Sequence, residues 1–69
     1  MLKEKEIVFG VTGGISDYKA VEFVRLLIKA GANVHVVMTK NAQEFIKPLT
    51  FQTLSGNPVT TDLFSLIED

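Results

Sequence analysis

Hydrophobic residues follow two different spacings along this chain, and their order predicts a strand followed by a helix. Ile7–Val11 is a nearly continuous apolar run rich in β-branched residues, which predicts a strand buried on both faces, as in a parallel sheet. The apolar residues that come next recur at helical spacing. They are Ala20, Phe23, Val24, Leu27 and Ile28. Ser16 is the expected N-cap of this helix, and Gly31 is expected to end it.

A second strand is predicted at Val34–Met38, another short apolar run. A strand, a helix and a strand within this length form a right-handed crossover, so the two strands are expected to be parallel neighbours. Thr39 comes directly after the second strand and is expected to cap a second helix, which stops or bends near Pro48. The apolar positions of that helix are Ala42, Phe45 and Ile46.

The segment after Pro48 predicts one more short helix, from Leu49 to Ser55, with Phe51 and Leu54 turned inward. Gly56-Asn57-Pro58 is a turn signal that ends this helix. No repeat, linker or low-complexity segment interrupts the chain. The pattern therefore predicts one piece of one α/β domain.

Length and composition indicate that the chain is the front part of a larger domain. It has 69 residues, of which 46% are hydrophobic and 22% are charged. Chains of about this length bury only about 60% of the surface that they expose when unfolded, and they commonly need a disulfide, a metal or a partner. The chain has no cysteine and one histidine, which excludes a structural zinc site. Residues 61–69 show no final strand or cap, so residues 1–69 are expected to be the N-terminal part of a single domain.

Charge and hydropathy exclude several kinds of partner. The net charge is −1 and there is no basic cluster, so no nucleic acid is expected to bind. The first residues, Met1–Glu6, lack the apolar core of a signal peptide, and no run approaches the length of a membrane span. The cytoplasm is therefore the expected location.

The turn between the first strand and the first helix carries the main functional signal. It consists of Thr12, Gly13, Gly14, Ile15 and Ser16. Glycine permits a positive φ and a close approach of ligand to backbone, while the start of a helix presents unpaired N–H groups and the positive end of the helix dipole. Together these features predict an anion site, most often for phosphate. The alternative is that the two glycines only form a tight turn.

Two common nucleotide-binding motifs do not fit this turn. A Walker A loop counted from Gly10 would need its second glycine at Ile15, followed by Lys and Ser or Thr, and these are absent. The dinucleotide motif needs Gly-x-Gly-x-x-Gly and an acidic residue near the end of the second strand, where this chain has Thr39. The turn is therefore better suited to a mononucleotide phosphate than to NAD.

Thr39 favours a phosphate site over a simple turn. The carboxyl ends of parallel strands lie side by side, and ligands bind in the crevice outside them. Thr12 and Thr39 are therefore expected to approach each other, with Ser16 beside them. Taken alone, Thr39 is also explained as a helix cap.

Three motifs resemble those of the flavin-containing cysteine decarboxylases. They are Val11–Ser16 followed by Tyr18-Lys19-Ala20, Val36–Thr39 followed by Ala42, and the stretch Pro48–Val59. They occur in order at compatible spacing, and the likeness covers residues 7–64. The resemblance implies an α/β fold with a flavodoxin-like or Rossmann-like three-layer parallel sheet. This chain would supply its first βαβ unit and the short helices that follow.

The same resemblance implies a cofactor and an activity. Members of this family bind FMN without covalent attachment. The members most similar to this chain decarboxylate 4′-phospho-N-pantothenoylcysteine to 4′-phosphopantetheine in coenzyme A biosynthesis. Family members assemble as trimers or multiples of trimers, so a homo-oligomer is expected.

The resemblance also assigns site residues by position. The FMN phosphate and ribityl chain would be lined by Gly13, Gly14, Ile15 and Ser16, next to Thr12. Thr39 would hydrogen-bond the phosphate from the second strand. Phe45 or Phe51 would pack near the flavin, although each is more simply explained as a core residue. Asp17 departs from the family pattern, which has a small residue at this position.

No catalytic residue is predicted within the chain. The family's catalytic histidine would lie beyond Asp69, and His35 is expected to be structural because it lies in the middle of a strand. Two alternatives of the same flavoprotein fold stay open, a peptidyl-cysteine decarboxylase and a flavin prenyltransferase. An alternative of another class is a non-catalytic fragment that binds phosphate or a nucleotide.

Overall fold

The structure is a computed structural model that describes residues 3–14 and 16–61. Its elements are, in order, strand β1 at Glu6–Val11, helix α1 at Asp17–Lys29, strand β2 at Asn33–Met38, a 3-10 helix at Ala42–Glu44 and helix α2 at Pro48–Ser55. The expectation about the end of the chain falls mainly on residues 62–69, which lie outside the described residues. No helix in the described ranges is long and apolar enough to cross a membrane.

The two strands are parallel neighbours, as predicted. Their register pairs Ile7 with Val34, Phe9 with Val36 and Val11 with Met38. All of these side chains belong to the hydrophobic core or pack against it. The expectation that β1 is buried on both faces is wrong, because Val8 on its other face is 69% exposed. An apolar run shows that both faces can be buried, but it does not say which residues cover the second face.

A third extended segment begins beside β2, which the sequence analysis does not predict. Thr60 forms a parallel bridge with Val37. The Thr60 N–H donates to the Val36 carbonyl at 3.0 Å, and the Met38 N–H donates to the Thr60 carbonyl at 2.9 Å. The third segment therefore lies next to β2 and not next to β1. In a Rossmann-like sheet the third strand lies next to the second, whereas in a flavodoxin-like sheet it lies next to the first. The sequence analysis expects a sheet of one of these two types, and the neighbour order seen here is the Rossmann-like one.

Helix α1 begins and ends where its capping residues predict. The Ser16 side chain accepts a hydrogen bond from the Lys19 amide at 3.2 Å, and Gly31 takes a φ of 100° just after the last turn. Ala20 and Val24 are fully buried. Phe23 departs from the expected buried face: it is 47% exposed, and its ring lies 5.1 Å from that of Phe9 between centroids.

The segment after β2 forms only a 3-10 helix at Ala42–Glu44, where a longer second helix is expected. Pro48 explains the difference, because proline disfavours the helical conformation of the residue before it. Lys47 accordingly has ψ of 137°, and Pro48 begins a new helix at its first position. Ile46 is buried, whereas Phe45 is not.

Helix α2 confirms the prediction for the last described helix. Phe51 is fully buried and Leu54 packs against the core. Gly56 ends the helix in the left-handed conformation with φ of 78°. Both α1 and α2 pack against β2 and against each other. The core therefore lies between the sheet and one layer of helices.

Candidate functional site

The predicted phosphate site lies where β1 and β2 end beside each other. The Thr39 N–H donates to the carbonyl oxygen of Val11 at 3.1 Å, which joins the residue after β2 to the last residue of β1. Thr12 follows Val11 directly and is exposed. The structure therefore brings together the two segments that the sequence predicts to meet.

Gly13 is held in close contact with the segment that follows β2. A Cβ added to Gly13 would lie 2.8 Å from Asn41 Nδ2, 3.1 Å from Asn41 Cβ and 3.2 Å from Asn41 Cγ. A close approach thus favours glycine here, because a Cβ would force Asn41 to shift. A positive φ is not the reason, since neither Gly13 nor Gly14 has one. The turn therefore does not use the positive φ that glycine permits.

Gly14 faces a different environment from its neighbour. A Cβ added there would meet nothing closer than the Thr12 hydroxyl oxygen, at 4.0 Å. Gly14 is also exposed. The space over this residue is open in the way that a close approach of ligand to backbone requires.

The start of α1 supplies backbone donors next to the turn. Ser16 caps the Lys19 amide, and the Ala20 amide donates to the Ser16 carbonyl at 3.0 Å. Helix geometry leaves the amides that precede Lys19 without acceptors inside the helix, and the dipole of the helix makes this end positive. Ile15, a predicted site residue, and the side chain of Asp17 lie outside what the structure describes.

Thr39 is the most buried polar residue near the site, with 1% of its surface exposed. Its Oγ1 accepts the Ala42 amide at 3.1 Å, which confirms the predicted cap. Its carbonyl oxygen accepts the side-chain amide of Gln43 at 3.2 Å. A hydroxyl can accept and donate at once, and the Ala42 contact uses only the acceptor side of the Thr39 hydroxyl.

The two aromatic candidates have opposite environments. Phe51 is fully buried and is a core residue. Phe45 is 66% exposed and follows the 3-10 helix at Ala42–Glu44, so of these two residues it is Phe45 whose ring is open to solvent.

His35 is paired with a residue of the neighbouring strand. Its Nε2 lies 2.7 Å from Glu6 Oε1, and the Asn33 side chain donates to the same carboxylate at 3.0 Å. These two hydrogen bonds lower the pKa of the Glu6 carboxyl, with the His35 bond the larger cause. His35 pairs with Val8 in the register, upstream of the strand ends. No group of metal-ligating side chains occurs among the described residues.

Comparison with known proteins gives the family. The Flavoprotein family matches residues 1–69, the whole chain. The chain belongs to the Flavoprotein family.

Two relatives of this Flavoprotein member share its sequence closely. It is 55% identical over 62 residues to the "Coenzyme A biosynthesis bifunctional protein CoaBC" of Vibrio parahaemolyticus, which covers 90% of this chain and 16% of that protein. It is 48% identical over 69 residues to the protein of the same name from Mycolicibacterium smegmatis, which covers 100% of this chain and 17% of that protein. The chain thus spans less than a fifth of the length of these relatives.

The fold of the chain is also similar to that of a solved structure. The FMN-dependent cysteine decarboxylase SpaF matches with a TM-score of 0.75 and 19% identity, over 87% of this chain and 35% of that one. This match and the family confirm the predicted α/β fold class, and together with the sequence relatives they confirm the predicted resemblance.

Asn41 is a residue beside the candidate turn that sequence reasoning misses. Its signal in the sequence is weak, because an asparagine in a loop after a strand is common in ordinary turns. Only the fold shows that it touches Gly13 from the neighbouring strand end.

Proposed function

We propose that this chain carries the FMN phosphate-binding part of a phosphopantothenoylcysteine decarboxylase. The reaction would convert 4′-phospho-N-pantothenoylcysteine to 4′-phosphopantetheine in coenzyme A biosynthesis, in the cytoplasm. The identity of 48–55% to coenzyme A biosynthesis proteins supports the reaction. The observation that carries the site is the bond from Thr39 to Val11, which sets the glycine turn beside the end of β2.

The turn fits a phosphate group in its backbone chemistry. The donors are the amides at the start of α1, beside Gly14, where open space lets an anion reach the main chain. Thr12 and Ser16 are exposed at the same turn. The residues that would hold the phosphate and ribityl chain are Thr12, Gly13, Gly14, Ile15, Ser16 and Thr39. Of these, Thr39 would donate its hydroxyl hydrogen to a phosphate oxygen while it still accepts the amide of Ala42.

The work of this chain in the reaction is binding and orientation. Bound FMN supplies the reversible two-electron oxidation of the substrate's cysteine that makes loss of carbon dioxide easy. The glycine turn would fix one end of the cofactor through its phosphate. Phe45, with its ring open to solvent, would pack against the flavin on the side of the Thr39 segment.

The residues that complete the domain would be supplied from outside this chain. Phe9, Tyr18, Phe23 and Leu26 line an apolar groove of about 580 Å³ beside β1, and Val8 is exposed on the other face of the sheet. Residues 1–69 alone are therefore expected to fold poorly, since two full strands with one covered face make a small core. A sharp, concentration-independent thermal transition of the isolated 69-residue chain would contradict this expectation. In the complete protein we expect a homo-oligomer, a trimer or a multiple of trimers.

The main alternative is a peptidyl-cysteine decarboxylase of the same flavoprotein fold. A flavin prenyltransferase of the same fold would share the turn but not the substrate. A non-catalytic fragment that binds phosphate is the alternative of another class. Sequence identity to the coenzyme A proteins favours the first proposal over all three.

The deciding experiment uses the full-length protein that contains this chain. We expect it to be yellow, to release FMN on denaturation and to form 4′-phosphopantetheine from phosphopantothenoylcysteine. A peptide with a C-terminal cysteine is the matched substrate for the alternative and should not react. Protein that shows no flavin absorbance after FMN is added would exclude the proposal, and turnover of the peptide alone would favour the alternative.

A further inference from the structure

Asn41 lies against the bare Cα of Gly13, inside the turn that we assign to the phosphate. The three Asn41 atoms nearest to a Cβ added at Gly13 lie between 2.8 and 3.2 Å from it. These distances are shorter than ordinary van der Waals contact. A side chain larger than that of glycine at position 13 would therefore require Asn41 to shift.

The peptide group that joins Asn41 to Ala42 is held at both its N–H and its carbonyl oxygen. The cap from Thr39 to the Ala42 amide holds the residue after it. Its own carbonyl oxygen accepts the Glu44 amide at 3.1 Å, so Asn41 is tied to the 3-10 helix. The side chain thus reaches Gly13 from a rigid base, which is how a residue can fix the shape of a neighbouring turn.

We propose that Asn41 is a positioning residue of the phosphate site. It holds the Gly13 turn in the conformation that receives the FMN phosphate, and its carboxamide lies beside that phosphate. This inference rests on the proposed function. It adds a residue that neither the glycine motif nor the helix start supplies.

The first test replaces the carboxamide with a carboxylate of the same shape, Asn41→Asp, in the full-length protein. A phosphate bound by the turn amides would lie on the order of 6 Å from this side chain, given hydrogen bonds of about 2.9 Å. At pH 7 a phosphate monoester carries about −1.5 to −2 charges, so the added charge should raise the FMN dissociation constant about five- to tenfold even at the dielectric constant of water. Riboflavin lacks the phosphate, and its dissociation constant should stay within about twofold.

The comparison of FMN with riboflavin separates this role from a structural one. A general loosening of the fold would weaken the binding of FMN and of riboflavin by the same factor. Repulsion of the phosphate would weaken the binding of FMN alone. Added salt should also reduce the defect toward FMN, because it screens exposed charges. Thermal unfolding of the flavin-free protein shows whether the Asn41→Asp variant is folded.

The second test uses steric complementarity and does not depend on charge. Gly13→Ala should weaken FMN binding in the wild-type background, because the new Cβ collides with Asn41. Asn41→Gly removes all of the colliding atoms, so Gly13→Ala should weaken FMN binding less in that background. Asn41→Ala is the matched control: it keeps the Cβ at 3.1 Å and should relieve the collision only in part.

The outcomes distinguish this inference from the proposed function. A selective loss of FMN affinity in Asn41→Asp, together with non-additive Gly13 and Asn41 variants, supports the inference. Equal effects on FMN and riboflavin, or additive effects of the two substitutions, would overturn it while wild-type FMN binding leaves the proposed function intact. A wild-type protein that binds no FMN would remove both.

Discussion

The hydroxyl of Thr39 can be isolated by comparing Thr39→Val with Thr39→Ser in the full-length protein. Valine keeps the shape and the methyl group but removes Oγ1, which accepts the Ala42 amide. Serine keeps Oγ1 and removes the methyl group. Because Thr39 is 1% exposed, each variant changes a fully packed position.

The two substitutions should cost similar stability for different reasons. Loss of an N-cap costs about 0.5–2 kcal/mol, and loss of one buried methyl group costs on the order of 1 kcal/mol. Their effects on FMN should differ much more. A hydrogen bond to a charged group contributes about 1.5–3 kcal/mol, which corresponds to about 10- to 150-fold in the dissociation constant.

FMN binding is measured by quenching of flavin fluorescence, with thermal unfolding of the flavin-free variants in parallel. We expect the affinity of Thr39→Ser to stay near that of the wild type and that of Thr39→Val to fall by at least about tenfold. If the two variants bind FMN equally at equal stability, the hydroxyl does not touch the phosphate. Thr39 would then be a structural cap only.

Three further predictions concern other described residues. Gly14→Ala should leave the flavin-free protein stable, because the added Cβ meets open space, but should weaken FMN binding as measured by titration. Phe51→Ala should lower the free energy of unfolding by about 3–5 kcal/mol, as measured by denaturant unfolding. Phe45→Ala should change the free energy of unfolding little but should weaken flavin binding, as measured by titration. The hydrogen bond from His35 lowers the pKa of the Glu6 carboxyl from 4.5. The contribution of Glu6 to the free energy of unfolding is therefore present above pH 4.5 and is lost as the pH falls further. Glu6→Gln should flatten that part of the dependence of unfolding free energy on pH.

The first half of the fold is predictable because its signals are local. Ser16 can cap α1 and Gly31 can end it whatever the rest of the chain does, and both do so. The second half depends on competition between signals. The apolar spacing through Ile46 favours a helix, but Pro48 prevents its continuation, and the structure resolves this conflict with a 3-10 turn and a new helix. The place of Thr60 beside β2 is a long-range pairing with no local signal.

The candidate site is predictable where it consists of backbone. A glycine turn that leads into a capped helix needs only neighbouring residues, and the parallel crossover then places the end of β2 beside it. The reason for Gly13 is not predictable in this way. It lies in a contact with Asn41, a residue far away in the sequence, and not in its own φ. The different exposures of Phe45 and Phe51 likewise depend on where the helix is broken.

The apolar groove beside β1 is better explained by packing of further protein than by the flavin. A ligand fixed by its phosphate at the start of α1 would be adjacent to Tyr18, but Leu26 lies about two turns farther along the helix, or about 12 Å. The rings of Phe23 and Phe9 also contact each other in a tilted arrangement between helix and sheet, away from the strand ends where ligands bind in such folds. Phe45 lies instead on the segment that starts at the end of β2. The groove therefore extends along α1 away from the phosphate turn, which lies at the start of that helix.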